Sequence, residues 1–199
     1  MKDGIKLVYV DSKYIRYLYR YDNRVMYNKG QRRPYIGILF EVKNHKYYAP
    51  LTHPKEKFKT MRNCVDFIRI QGGELGGINL NNMIPIVDGA ATPILVKDIS
   101  DIKYKMLLIK QIEFFDDHET SIIDKATKLY KAHKSKTLRK EVYARCCNFS
   151  LLEKKSKFYD PNYGGKAKQG EKMWIHIFFY SLFLLDCGMT YIKVWYYII

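Results

Sequence analysis

Two β-rich runs joined by a two-residue turn constrain the fold of this chain more than any other stretch of its sequence. Residues 35–42 (YIGILFEV) and 45–51 (HKYYAPL) are rich in β-branched and aromatic side chains, and only Lys43 and Asn44 separate them. Such runs are typical of strands, and a two-residue connection suits the tight turn of a hairpin. The sequence therefore predicts an antiparallel β-hairpin over residues 35–51.

Further short strands are expected before and after this hairpin. Residues 5–10 (IKLVYV) are strand-like, and glycines and asparagines separate three more β-like runs at residues 65–70, 74–80 and 83–87. Residues 52–63 lack periodicity and are expected to form a basic loop. Five or six short strands within about 90 residues are typical of a curled antiparallel sheet or a small barrel.

The spacing of apolar residues changes to that of helices in the second half of the chain. From Tyr104 onward apolar side chains recur every three or four residues, which predicts an amphipathic helix, and a second helix is expected from about Ser121 to Tyr143. A short helix capped by Asp11 or Ser12 is expected earlier. Strands first and helices after them indicate an α+β fold, namely a compact, twisted antiparallel sheet or partial barrel surrounded by helices.

Composition divides the chain into three parts. Residues 1–159 have the makeup of one globular domain, residues 160–172 form a linker rich in Pro, Gly and Lys, and residues 173–199 are strongly apolar. Asp186 and Lys193 interrupt the apolar run before the ~20 residues that a bilayer span needs, so a membrane anchor is not favoured. A buried terminal element and a non-native extension are the alternatives for this tail.

Several familiar signatures are missing or incomplete in this sequence. The first residues hold no apolar run long enough for a signal peptide. Cys146 and Cys147 are adjacent and no C-x-x-C occurs, so neither a disulfide framework nor a zinc site is expected, and we interpret this pair as packing residues. The glycine-rich run 72–77 lacks the remainder of a phosphate-binding loop and is interpreted as a turn. A cytoplasmic protein without metal or cofactor is expected.

A strong excess of positive charge indicates a polyanionic partner. Lysine and arginine outnumber aspartate and glutamate by 35 to 20, a formal net charge of +15, which leaves RNA, DNA or an anionic membrane as candidates. The charge is concentrated in residues 29–59 and 124–157, where aromatic side chains lie among the cations. Because rings stack on unpaired bases while cations hold phosphates, single-stranded or irregular RNA fits best. The residues expected to contact RNA are Lys29, Arg32, Lys57, Lys59, Lys110, Lys131, Lys134, Lys136, Arg139, Lys140 and Arg145.

One segment, Pro-Leu-Thr-His-Pro-Lys, carries the groups that cleavage of RNA without a metal requires. Such cleavage needs a base for the 2′-hydroxyl proton, an acid for the 5′-oxygen and a cation for the charge that develops on the phosphoryl group. His53 can exchange a proton near neutral pH, Thr52 can hydrogen-bond a phosphate oxygen, and Lys55 supplies positive charge. The loop before the hairpin can bring Tyr27 and Arg33 to the same place. The alternative for His53 is an ordinary histidine in a polar loop.

Five blocks follow one another in this sequence: SKYIRYL, RPYIGILFEVKNHKYYAPLTHPK, GGINLNNMIPIV, YKMLLIKQIEFF and CCNFSLLEKK. Over roughly residues 5–158 they resemble the ToxN/AbiQ family, the endoribonuclease toxins of type III toxin–antitoxin systems. The resemblance implies a highly twisted antiparallel sheet like that of the MazF/Kid toxins, decorated by helices. It implies metal-independent cleavage of RNA, often at A-rich sites, to a 2′,3′-cyclic phosphate and a 5′-hydroxyl. It also implies inhibition by a repeated, pseudoknotted antitoxin RNA that the toxin processes and binds in a closed ring of alternating protein and RNA, in abortive defence against phage.

The family's active-site motif, A-P-L-[TS]-S-P-K, corresponds to residues 49–55 of this sequence. Thr52 and Lys55 match the motif. His53 stands where the family usually has serine, either as a stronger acid or base in the same place or as a bulkier ring that displaces the phosphate. The resemblance therefore implies a catalytic stretch here, with one departure from the family's pattern.

Outside this motif the correspondence is looser. The basic and tyrosyl residues just before the family's first hairpin strand correspond to Arg33 and to Tyr27 or Lys29, and Ile109 stands where some members carry an aromatic side chain. The favoured function is a metal-independent endoribonuclease that its own RNA antitoxin neutralises. The alternatives are an RNA-binding protein whose altered site is inactive, and a basic domain that binds anionic lipid headgroups beside an anchoring tail.

Overall fold

The computed structural model of this chain describes residues 5–27, 33–62 and 64–161. Its strands are β1 (Lys6–Val10), β2 (Pro34–Val42), β3 (His45–Thr52), β4 (Phe67–Arg69), β5 (Gly77–Asn79), β6 (Ile84–Ile86) and β7 (Ala91–Pro93). They form one open antiparallel sheet in the order β4-β5-β3-β2-β1-β7, with β6 paired to β3. The α+β fold with an antiparallel sheet that does not close is thus confirmed.

The expected hairpin lies in the middle of this sheet. Lys43 and Asn44 form its turn with φ angles of 49° and 63°, the left-handed conformation that two-residue hairpin turns require. β3 pairs with β2 on one side, and with β6 and then β5 on the other. Its last residue, Thr52, is therefore still held in the sheet, opposite Gly77 of β5.

Five α-helices accompany the sheet within the described residues. They are α1 (Ser12–Tyr19), α2 (Glu56–Thr60), α3 (Ile102–Lys134), α4 (Lys140–Arg145) and α5 (Phe149–Ser156). The prediction that a second helix starts at about Ser121 was wrong. In the structure, α3 continues without a break for 33 residues. Neither glycine nor proline falls within α3, and the chain leaves the helix only near Lys136, whose φ is 59°.

The segment expected to be a basic loop contains α2 instead. Phe58 on this short helix is buried against the ring of Phe67 on β4, with 5.0 Å between the ring centroids. Arg69 on the same strand donates from Nη1 to the carbonyl oxygens of Phe58 and Lys59, at 3.3 and 3.2 Å. Contacts with β4, and not periodicity within the segment, therefore account for this helix.

The partly buried carboxylate of Glu153 joins the sheet to α3 and α5. Glu153 Oε1 accepts from the hydroxyls of Tyr47 and Tyr130 at 2.8 and 2.6 Å, and Oε2 accepts from Lys134 Nζ at 3.0 Å. Burial on its own would raise the pKa of Glu153, but these hydrogen bonds outweigh it and hold the pKa below its ordinary value. The charged carboxylate thus ties the sheet to the two helices at the edge of the core.

Two interpretations from the sequence have structural outcomes, and a third lies outside the described residues. Cys146 and Cys147 are both buried, which confirms them as packing residues. The glycine-rich run forms a turn between β4 and β5, with positive φ at Gly72, Gly73 and Gly76, as interpreted. The tail at residues 173–199, like the linker beyond residue 161, lies outside the described residues. Among the helices of the described ranges, none has both the length and the apolar character needed to cross a membrane.

Candidate active site

A cleft of about 270 Å³ lies between the end of β3 and α3. Its lining comes from three stretches of the chain: the approach to β2, the end of β3, and α3. The lining residues are Tyr27, Arg33, Pro34, Leu51, Thr52, His53, Tyr104, Leu107, Leu108 and Gln111. Four of the five residues predicted to act in catalysis, namely Tyr27, Arg33, Thr52 and His53, thus meet at one place.

The end of β3 holds Thr52 and His53 at this cleft. Thr52 is half-buried, and His53 is exposed as the first residue beyond the strand. Gly76, whose φ is +95°, passes so close that a Cβ at that position would overlap the carbonyl oxygen of Thr52. The glycine turn before β5 therefore supports the backbone that presents both side chains.

Arg33 brings a guanidinium to the cleft from the approach to β2. Because Tyr35 on β2 pairs with Pro50 on β3, the start of one strand lies beside the end of the other. Arg33 Nη1 donates to the carbonyl oxygen of Leu51 at 3.0 Å. A guanidinium remains charged at every physiological pH and can bind phosphate oxygens through several N–H groups. Positive charge is thus fixed next to Thr52.

Tyr27 follows a turn that is anchored to the core. The buried carboxylate of Asp22 accepts from Arg24 Nε at 2.8 Å and from the backbone N–H of Asn148, just before α5, at 2.6 Å. Arg24 and Asp22 form an ion pair as well. The ring of Tyr27 is 47% exposed, so it is open to stacking by a base.

The first three turns of α3 form the opposite wall of the cleft. The helix begins after Asp101, whose Oδ1 accepts from the backbone N–H of Tyr104 at 3.1 Å. Tyr104, Leu107, Leu108 and Gln111 then follow at the spacing that places side chains on one helical face. The cap fixes where α3 begins, and the packing of α3 against the sheet turns this face towards the end of β3.

Tyr104 places a neutral hydroxyl and an aromatic ring beside His53. The two ring centroids are 6.4 Å apart, and the Tyr104 hydroxyl lies 3.5 Å from that of Tyr9 on β1. Burial and the hydrogen bond to Tyr9 raise the pKa of Tyr104, so the phenol stays protonated near neutral pH. At the cleft it can donate a hydrogen bond, but it does not act as a base.

Gln111 contributes a buried acceptor. Its side chain is 3% exposed, and Nε2 donates to the carbonyl oxygen of Leu75 at 2.7 Å. Its Oε1 is buried without a hydrogen-bond partner in the described part of the chain. An unsatisfied buried acceptor is costly, and a donor from a molecule in the cleft would satisfy it.

Lys55, the fifth predicted catalytic residue, lies outside the lining of the cleft. It is exposed at the residue before α2. There it lines a neighbouring shallow groove of about 390 Å³ together with Pro54, Glu56, Lys59, Gly73 and Glu74. Lys55 is therefore close in sequence to Thr52 and His53, but its charge lies in the neighbouring groove and not in the cleft.

The residues predicted to bind RNA fall into different environments. Lys110, Lys131, Lys136, Arg139 and Lys140 are exposed on α3, α4 and the turn between them, and Lys57 is exposed on α2. Three others are in ion pairs: Lys59 with Glu56 at 3.0 Å, Lys134 with Glu153 at 3.0 Å, and Arg145 with Asp66 at 2.5 Å. Lys29 and Arg32 lie outside the described residues. The RNA contacts of this set stay a prediction.

Sequence reasoning missed the contribution of α3 to the cleft. It assigned Tyr104, Leu107 and Leu108 to the apolar face of a helix and gave Gln111 no role. The only signal was polarity, since the polar side chain of Gln111 interrupts that apolar face. Over the described ranges, no group of three or more His, Cys, Asp or Glu side chains is arranged to hold a metal ion.

Comparison with known proteins agrees with this architecture. The family described as Toxin ToxN, type III toxin-antitoxin system, matches residues 6–157. The chain is 30% identical to Endoribonuclease ToxN of Bacillus thuringiensis subsp. kurstaki, over 86% of this chain and 91% of that protein. It is 31% identical to Endoribonuclease ToxN of Pectobacterium atrosepticum, over 84% of this chain and 99% of that protein.

Solved structures show the same fold. One, of a bacterial antiviral system regulated by a processed non-coding RNA, has a TM-score of 0.67 and 30% identity, covering 81% of this chain and 99% of that one. Another, concerning type III toxin–antitoxin systems and selective toxin inhibition by a non-coding RNA pseudoknot, has a TM-score of 0.68 and 28% identity, covering 79% and 98%.

Proposed function

This chain belongs to the ToxN family of type III toxin–antitoxin systems, and we propose that it cleaves RNA in the cleft between β3 and α3. It is an endoribonuclease toxin, with a non-coding RNA pseudoknot as its inhibitor and a role in antiviral defence. One observation supports the location most strongly: Tyr27, Arg33, Thr52 and His53, from separate segments, line the same cleft.

The proposed reaction is a transesterification at phosphorus. The 2′-oxygen of a ribose attacks the adjacent phosphorus while its proton passes to a base, and the bond from phosphorus to the 5′-oxygen breaks as an acid protonates that oxygen. The products are a 2′,3′-cyclic phosphate and a 5′-hydroxyl. The step balances without a metal ion, an oxidant or a cofactor.

His53 is the residue proposed to exchange protons in this step. Imidazole gives and takes protons near neutral pH, and the exposed position of His53 just beyond β3 leaves its ring open to substrate. Tyr104 beside it can donate a hydrogen bond. In the family's usual motif a serine stands at this position, so the histidine is a departure whose chemistry belongs to this chain.

Arg33 and Thr52 are proposed to bind the phosphate oxygens as negative charge develops. The guanidinium is already oriented by its hydrogen bond to Leu51, and preorganised donors stabilise such charge more than mobile ones. Lys55 adds positive potential from the adjacent surface, and Tyr27 offers its exposed ring to a base.

The assembly and location of the toxin extend this proposal. We infer that the antitoxin RNA is repeated, is processed by the toxin and closes a ring of alternating protein and RNA in the cytoplasm. The exposed cations Lys131, Lys136, Arg139 and Lys140 lie close together in sequence around the end of α3 and the start of α4, and they supply a surface for RNA phosphates.

Cleavage of an A-rich single-stranded RNA by the purified protein in EDTA tests this function. We expect cyclic-phosphate and 5′-hydroxyl ends, and we expect His53→Ala to lower kcat/KM by about 10²–10⁴. His53→Ser restores the family's usual residue and is the matched control. A requirement for magnesium or 5′-phosphate products would exclude the mechanism, and unchanged activity of His53→Ala would exclude proton transfer by His53.

A further inference from the structure

A second aromatic ring continues the cleft onto α1. The ring of Tyr19 packs edge-on against that of Tyr27, with 5.9 Å between centroids and 72° between the ring planes. Tyr19 is 42% exposed and Tyr27 47%. An edge-on pair leaves ring faces uncovered, and this one is half open to solvent, so a nucleotide that leaves the cleft past Tyr27 meets another ring.

Two arginines flank Tyr19 on the outer side of α1. Arg16 precedes Tyr19 by three residues and the C-cap residue Arg20 by four, so Arg16 neighbours both on the helix surface. Both arginines are exposed. Neither guanidinium is in an ion pair within the described residues, whereas Arg24, Lys46, Lys59, Lys134 and Arg145 all are. The face combines a ring for a base with cations for phosphates.

The position of α1 is fixed by its buried side. Tyr14, Ile15 and Leu18 are all 0% exposed, and the Tyr14 hydroxyl donates to the carbonyl oxygen of Pro85 at 2.6 Å. Asp11 caps the helix through the backbone N–H of Lys13. Because the helix is anchored, its outer face is presented in one orientation, which lowers the entropic cost of binding.

We propose that Arg16, Tyr19 and Arg20 form a subsite that stacks the base, and binds the phosphate, of a nucleotide flanking the one cleaved in single-stranded RNA. This inference rests on the proposed function, since the cleft defines where the flanking nucleotide begins. The face lies outside both charge clusters that the sequence singled out. It therefore adds α1 to the RNA-binding surface.

The test compares a minimal A-rich oligoribonucleotide with versions extended by single-stranded nucleotides at either end. We expect the kcat/KM of the wild type to be higher for the extended RNA than for the minimal one. For the extended RNA, Tyr19→Leu should lower kcat/KM by about 5- to 150-fold, the usual effect of losing one stacked base. Tyr19→Phe keeps the ring and should keep the gain on extension. Arg16→Gln or Arg20→Gln should reduce the salt dependence of binding by about one phosphate contact each.

Tyr21 is the matched control on the neighbouring turn. It is 40% exposed, but its ring packs against Tyr17 at 5.3 Å and lies 4.2 Å from Lys155 Nζ. Tyr21→Leu thus removes an exposed tyrosine outside the subsite and should leave the gain unchanged. A Tyr19→Leu protein that retains the gain would overturn the subsite while leaving the cleavage function intact.

Binding separates failure of the subsite from failure of the proposed function. An extended RNA with 2-aminopurine at the flanking position should lose fluorescence when it binds His53→Ala protein, and Tyr19→Leu in that background should abolish the loss. If wild-type protein cleaves no RNA, this measurement still decides the subsite. Equal quenching with and without the Tyr19 ring would overturn it.

Discussion

The ring of Tyr104 on α3 lies 6.4 Å from the ring of His53 at the end of β3. This contact closes one side of the candidate active site, and it joins a residue that sequence reasoning placed in catalysis to one that it placed in a helix core. The site is thus built by the packing of α3 against the sheet, and its parts can be tested separately.

Tyr104→Phe should lower kcat/KM by about tenfold, because it removes one hydrogen-bond donor from the cleft while keeping the ring. Tyr104→Leu should cost more, since the wall beside His53 is lost as well. Steady-state cleavage assays give both values. Tyr9→Phe removes the other hydroxyl of the 3.5 Å pair and should lower kcat/KM less. If both variants lowered kcat/KM equally, the two hydroxyls would act by holding the fold together and not by donating to substrate.

Gly76→Ala should destabilise the fold by at least about 2 kcal/mol and lower cleavage, because φ is +95° there and the new Cβ would overlap the Thr52 carbonyl oxygen. Gly72→Ala is the matched control. Its φ is +63°, but no atom lies within 4 Å of the added Cβ, so it should cost only about 1 kcal/mol. Urea unfolding and cleavage assays on both proteins measure the difference, and equal losses would contradict the role of Gly76.

Glu153→Gln should destabilise the protein by about 1.5–3 kcal/mol, because the partly buried carboxylate accepts charge-assisted hydrogen bonds from Tyr47, Tyr130 and Lys134. Urea unfolding at neutral pH measures this loss. Glu56→Gln breaks an exposed pair with Lys59 and should cost less than about 1 kcal/mol. If the two variants lost the same stability, the Glu153 carboxylate would not anchor the helices to the sheet.

Stability should fall as the pH drops below about 6.5, the ordinary pKa of histidine. Burial lowers the pKa of His45 and of His133 in the folded protein. Below 6.5 the unfolded chain therefore takes up protons that the folded chain still excludes, so stability is complete above that pH and decreases towards the folded pKa values. Thermal unfolding from pH 8 to pH 5 measures this, and His45→Gln should flatten the dependence. If the stability of His45→Gln fell more steeply with decreasing pH than that of the wild type, the proposed lowering of the His45 pKa would be contradicted.

Local features were predictable from the sequence because their causes are local. The Lys43-Asn44 turn adopts the conformation that a two-residue hairpin requires, and Asp11 caps α1 as expected. The segment with Thr52 and His53 was singled out by its residue types together with the resemblance to the family's motif. The end of the long helix was predicted too early because helix propensity changes little along α3. The short helix α2 was missed because its contacts are with Phe67 and Arg69 on β4.

Residue types and their order along the chain determined the hairpin, the α+β class, the family and the segment that carries Thr52 and His53. Only the tertiary structure decided that α3 turns Tyr104 and Gln111 towards that segment, that Lys55 lies on an adjacent surface and that Lys134 and Arg145 are in ion pairs. The physical reason is that an apolar helical face has the same spacing whether it meets a core or a cleft. Which of the two it meets depends on packing between residues far apart in the chain.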